Sequence, residues 1–263
     1  MHEILRRLPP NARLLDLGSG SGSFPAGALP GLVVCVDAET PQGTRAGCFV
    51  RADAAALPFR SRTFDAIISN HSLEHFVDLG AALAEVGRAI KPEGALYVAV
   101  PDASTVTDIL YRWLARGGGH VNAFTSDHAL AQRVESATGL RHCGTRPLYT
   151  SLSFMNGRNR KGRPPRKLLL FGNGREGVLV FLTTILRLCD RLVGTRLSLY
   201  GWALYFGELK SPIDREAWTN VCVRCGSGHP SAGLLAAGRV ERRYLWLPFY
   251  NCPSCGAPNL FMR

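Results

Sequence analysis

Acidic residues are in short supply: 20 Asp and Glu stand against 31 Lys and Arg, a formal net charge of +11. That deficit suits an anionic partner such as nucleic acid or a membrane surface, although a merely soluble basic protein has the same balance. Long apolar runs are also missing. The longest, GVLVFLTTIL at 177–186, falls far short of the ~20 residues that a spanning helix needs. MHEILRRLPPNARLLDLG at the start does not set a basic, an apolar and a cleavage region in secretory order, so a cytoplasmic location is expected, with the eight cysteines kept reduced. Two phosphate-binding signatures fail as well. A GK[ST] loop is absent, and a GxGxxG fingerprint beginning at Gly18 would need Gly or Ala where Ser23 stands.

What is present is an alternation of short apolar runs with helical stretches. ARLLDL (12–17), LVVCV (32–36), CFVRA (48–52), DAIIS (65–69) and ALYVAV (95–100) read as strands buried on both faces. Leu79, Leu83, Val86 and Ile90 recur at helical spacing, with Pro92 and Gly94 marking the end of that helix. A further helix is expected over 126–138, then strands at 140–150 and 197–206. The pattern predicts an α/β fold with a doubly wound, mostly parallel, Rossmann-like sheet. Between the last two strands lies an insert, about 151–195, made of a proline-broken basic run, NGRNRKGRPPRK (156–167), and an amphipathic helix over 175–192. Composition shifts again after Pro212, so the expected domains are 1–211 and 212–263.

The turn after the first strand reads DLGSGSG, residues 16–22, and glycines there let a ligand approach the backbone with no Cβ between. Asp37 closes the second strand, placed for the two hydroxyls of a ribose, and Asp53 follows the third. Three carboxylates at neighbouring strand ends repel phosphate, yet they suit a nucleoside with hydroxyls, an exocyclic amine and a positive charge, as in S-adenosylmethionine.

These segments, with ADAAALPFRSRTFDAIISNHSLEHF and EVGRAIKPEGALYVAVPD, resemble the class I S-adenosylmethionine-dependent methyltransferases of the type 11 branch over roughly residues 12–150. The resemblance implies that Asp16, Gly18, Ser19, Gly20 and Gly22 border the methionine part of the cofactor. Asp37 would take the ribose, Asp53 and Ala54 the adenine, and Asn70 the sulfonium side. Two stretches depart from the family pattern: SFPAGALPG (23–31) and AETPQGTRAG (38–47) leave little room for the usual helices.

Methyl transfer needs positioning, plus a base if the acceptor must lose a proton. His71, Glu74 and His75 in NHSLEHF are spaced i, i+3, i+4 and would share one face of a helix, as a general base or a divalent-metal site. The plainer alternative is that His75 orients the turn. His120, in GGGHVNAF, faces the acceptor or is a solvated loop histidine. An NPPY motif after the fourth strand and a Pro-Cys nucleophile are both missing, which argues against base-amine and cytosine-C5 substrates.

CVRCG (222–226) and CPSCG (252–256) supply Cys222, Cys225, Cys252 and Cys255, two CxxC pairs that suit a structural zinc ion (Zn2+) in a ribbon. The other four cysteines read as small buried apolar residues. The expected function is methyl transfer to a hydroxyl or amine of a small or lipid-like acceptor. Alternatives are RNA methylation guided by the basic run and ribbon, and a non-catalytic scaffold that binds proteins through the ribbon. An anionic membrane surface is a further partner that residues 156–167 would fit.

Overall fold

A computed structural model describes residues 1–20, 22–24, 31–40, 48–114, 119–159, 176–209, 213, 218–244 and 246–263. Most of the two stretches that depart from the family pattern, and the basic run beyond Asn159, lie outside these residues.

The apolar runs become strands β1 (Arg13–Leu17), β2 (Leu32–Asp37), β3 (Cys48–Arg51), β4 (Phe64–Asn70) and β5 (Ile90–Pro101). With β6 (His142–Tyr149) and β7 (Leu199–Gly207) they form one sheet in the order β3-β2-β1-β4-β5-β7-β6. The pairings β1–β2, β1–β4, β2–β3 and β4–β5 are parallel. Strand order therefore reverses around β1, and the crevice beyond the carboxyl ends of β1 and β4 is where such sheets bind ligands.

Two amphipathic helices supply core residues. α2 (Leu79–Ala89) is capped by Asp78, whose side chain accepts from Ala81 N, and it turns Leu79, Ala82, Leu83, Val86 and Ala89 inward. It stops one residue short of expectation: Ile90 is already extended and opens β5 ahead of Pro92. α4 (Asp127–Thr138) is capped by Ser126 and ended by Gly139 in the left-handed region. Their apolar faces join Leu15, Leu17, Ile67, Leu96, Val98 and Leu204 in one core. A short helix, α1 (His2–Leu5), precedes the sheet.

The chain groups into two compact units, one of residues 1–102, 119–146 and 202–215, the other of 103–118, 147–201 and 216–263. The first holds most of the sheet. The second gathers helices α3 (Val106–Leu114), α5 (Glu176–Val193) and α6 (Ser231–Ala236) with the cysteine-rich segment, whose short strands are β8 (Asn220–Val221), β9 (Gly228–His229), β10 (Val240–Arg243), β11 (Leu247–Asn251) and β12 (Pro258–Leu260). Strands β8–β9 and β10–β11–β12 are antiparallel. Val223, from the first CxxC pair, packs with Leu152, Met155 and Leu179, so the insert and the ribbon share a small core.

The four scattered cysteines correct an expectation. Only Cys35 is buried; Cys143 and Cys189 are half-buried and Cys48 is exposed. Cys48 opens β3, the edge strand, and nothing covers an edge as a neighbour covers an interior strand.

Candidate functional site

The glycine turn is shaped by the carboxylates beside it. Asp16, in the buried body of β1, accepts from Ser23 N at 2.9 Å and Ser23 Oγ at 2.6 Å. Asp37, at the end of β2, accepts from Gly20 N at 2.7 Å and Glu39 N at 3.1 Å. Ser19 N donates to Val36 O, and Gly22 N to Ser19 O. Asp53 accepts from Ala55 N at 2.9 Å, and Ala54 is buried. Because β1, β2 and β3 run parallel in register, with Asp37 opposite Arg51, all three acids stand at one edge of the sheet.

Two glycines of the turn differ in what a side chain there would meet. Gly18 has φ +65°, and a Cβ there would lie 2.3 Å from Ser72 Cβ. Gly20 has φ +47°, and a Cβ there would meet nothing within 4 Å among the described residues. Beside Gly20, whose amide donates to Asp37, the described residues leave room at the position expected to border a cofactor, and the Asp37 carboxylate fits the hydroxyls of a ribose.

Ser72 was not singled out by sequence pattern. Its Oγ donates to Leu17 O at 2.9 Å and lies 2.7 Å from Ser69 Oγ, which stitches the end of β4 to the end of β1. The contact with Gly18 makes the NHSLEHF turn a direct neighbour of the glycine turn. Asn70 ends β4 on the same edge, paired with Ala99.

NHSLEHF does not form one continuous helix. His71 adopts φ +56°, and a single 3-10 turn follows at Leu73–His75. His71 Nδ1 still lies 3.9 Å from Glu74 Oε1, while His75 meets the loop at 119–122. His75 Nδ1 is 2.9 Å from Gly119 O; a carbonyl only accepts, so Nδ1 carries a proton and donates it there. Val121 N and Asn122 N both donate to Glu74 O, and Asn122 Nδ2 donates to Leu73 O and Phe76 O. The ring of His120 lies 5.0 Å from that of His75. Glu74, His75 and His120 bring one donor atom each within 4.8 Å of one another, so the metal-binding alternative falls on these three and not on His71. Burial, with the nearby His120 and His75, pushes His71 down to about 4, which keeps it uncharged at neutral pH. Asn122 carried no sequence signal, since its bonds span 46 and 49 residues.

The two cysteine pairs fold alike. Gly226 N donates to Cys222 O and Gly256 N to Cys252 O, both glycines in the left-handed region that closes each turn. Cys222 Sγ is 3.6 Å from Cys255 Sγ, and Cys225 Sγ is 3.6 Å from Cys252 Sγ. A tetrahedral zinc with bonds of about 2.3 Å sets sulfur atoms about 3.8 Å apart, so this donor set fits the ion. His229 Nε2 at 3.3 Å from Cys252 Sγ, and Asn259 Nδ2 at 3.5 Å from Cys222 Sγ, place N–H groups by the sulfurs.

Comparison with known proteins identifies a methyltransferase domain over the first part of the chain. Residues 15–98 match the family model of the methyltransferase domain. The malonyl-acyl-carrier-protein O-methyltransferase of Methylococcus capsulatus is 29% identical over 187 residues, 61% of this chain and 68% of that protein. The demethylmenaquinone methyltransferase of Corynebacterium urealyticum is 36% identical over 98 residues, 35% of this chain and 43% of that protein. Among solved structures, a protein assigned to an antibiotic biosynthesis pathway of Anabaena variabilis shares the fold with a TM-score of 0.51 at 18% identity, over 78% of this chain and 94% of its own. The cyclase SpnF does so at 0.52 and 17%, over 79% and 78%. Residues 15–98 thus carry a methyltransferase domain of the S-adenosylmethionine-dependent kind, and S-adenosylmethionine is the cofactor of that domain.

Proposed function

We propose that the protein transfers a methyl group to a hydroxyl or amine of a small or lipid-like acceptor, with His75 as the base. The observation that carries this reading is the contact between Gly18 and Ser72, which sets the cofactor turn against the histidine turn. When bound, S-adenosylmethionine supplies an electrophilic methyl group on a positively charged sulfur. Asp37 would hold the ribose, Asp53 and Ala54 the adenine, and Asp16 would keep the turn of Gly18, Ser19, Gly20 and Gly22 in shape through Ser23. The Gly119 carbonyl fixes the tautomer of His75, so Nε2 is the atom that takes the acceptor's proton. His71, uncharged, offers a second lone pair beside it without adding positive charge next to a sulfonium. The acceptors named for the two relatives above, an acyl-carrier-linked malonyl group and a menaquinone precursor, support the small or lipid-like class.

Saturating S-adenosylmethionine should raise the melting temperature, with about 2.7 kcal/mol of added stability at a hundredfold excess over Kd. Asp37→Ala should abolish the shift. His75→Ala should keep the shift but lose methyl uptake from labelled cofactor into fractionated extract. No shift with the unaltered protein overturns the reading in favour of a scaffold.

A further inference from the structure

α5 is turned inside out. Its inward positions are Leu179, Thr183 and Arg187, of which two are polar; Arg187 donates to Thr150 O at 3.1 Å from a buried position. Its outward positions are apolar except for Arg191, with Phe181 64% exposed, Leu192 78%, and Ile185 and Leu188 also exposed. α3 repeats the arrangement. Leu110 packs toward the cluster around Leu179, while Val106, Ile109 and Trp113, the last 73% exposed, point outward. These two helices, 9 and 18 residues long, hold ten of the sixteen exposed large hydrophobic side chains among the described residues. A water-soluble surface does not collect them so densely without a partner.

The charges identify that partner. Both acids of α5 are held away from the outward face: Glu176 accepts from Arg224 at 2.6 and 2.8 Å, and Asp190 accepts from Thr195 Oγ1, Leu197 N and Ser198 N. Asp108 of α3 is buried and paired with Arg112 at 2.7 Å. Just before α5 in sequence, residues 156–167 carry six cations, from Arg158 to Lys167, and no acid. An apolar stripe without negative charge, led by a cationic run, is the composition of a helix that lies in a membrane interface. No helix among the described residues is long and apolar enough to cross a membrane.

We infer that the outward faces of α3 and α5 dock on an anionic lipid surface, with the 156–167 run supplying the attraction. This inference does not depend on the acceptor, since docking requires no methyl transfer.

The test uses the full, zinc-loaded chain and flotation with vesicles, either of phosphatidylcholine alone or with roughly a third phosphatidylglycerol. Binding to the anionic vesicles should exceed binding to the neutral ones by about tenfold or more and weaken with salt. Phe181→Glu with Ile185→Glu should cut it by about tenfold or more, while the melting shift with S-adenosylmethionine stays unchanged. Trp113 should move to a less polar emission, a change that Trp113→Leu removes. No vesicle binding, or binding untouched by the paired substitution, overturns the inference. So does a dimer in light scattering that the substitution dissociates, or salt-sensitive RNA binding in place of vesicle binding.

Discussion

The two units are held together by different physics. In the sheet unit, Leu15, Ile67, Ile68 and Leu204 are wholly buried, and the residues that surround them are apolar. In the ribbon unit, α5 buries Thr183 and Arg187 and leaves Phe181 outside, and the cluster beneath β11 is built from Cys222, Cys252 and Tyr250 with Leu234, Ala257 and Phe261. Apolar burial is non-directional and tolerates change, whereas a site of four thiols and a set of paired charges depends on each member. The first unit should therefore resist perturbation that dismantles the second.

Removing the metal should separate them most sharply. Apparent zinc-binding free energies in small domains are about 10 to 16 kcal/mol, so Cys252→Ala or exhaustive chelation should unfold the ribbon. The readouts are one zinc per chain before treatment and none after, and rapid proteolysis of 218–263. The melting shift with S-adenosylmethionine should survive. Its loss together with the ribbon would erase the distinction drawn here.

Within the sheet unit, Gly18→Ala and Gly20→Ala should differ although both glycines have positive φ. The first adds a carbon 2.3 Å from Ser72 Cβ and should cost about 3 kcal/mol or more by urea unfolding. The second meets open space and should cost only about 1 to 2 kcal/mol. In cofactor affinity, however, Gly20→Ala should suffer, because its methyl would occupy that space.

A pH effect of similar size is expected at His71, which faces Glu74, His75 and His120. Its value falls from 6.5 in the unfolded chain to about 4 in the fold. Between those values the unfolded chain binds the extra proton, so the contribution is full above about pH 6.5 and is lost as pH falls toward 4. At most it is about 3 kcal/mol. His71→Asn, which tolerates positive φ, should flatten the dependence of the urea midpoint on pH over that window. An unchanged slope would place His71 in contact with water.

Much of this was legible in order along the chain. Strand runs, the helix of Leu79, Leu83 and Val86, the helix over 126–138 and the two CxxC turns depend on neighbours a few residues apart, and sequence pattern reads such spacing directly. The doubly wound, mostly parallel class of the sheet followed from alternation and from the type 11 resemblance, while its strand order is set by the packing of the whole domain. What escaped was set by distant contacts. His71 leaves the helical register because Ser72 must reach back to Leu17; Asn122 clasps a turn nearly fifty residues earlier; Arg224 finds Glu176 across 48. The half-exposed face of α5 also escaped, since periodicity locates an apolar stripe but not the side on which the protein lies.

The approach of Gly18 to Ser72 leaves less than one carbon's width between the two turns. They behave as a single jaw, so re-spacing the cofactor cleft from either side would displace the histidines as well. The strip at 119–122, fastened to the same jaw by hydrogen bonds to main-chain oxygens of Leu73, Glu74 and Phe76, would move with it.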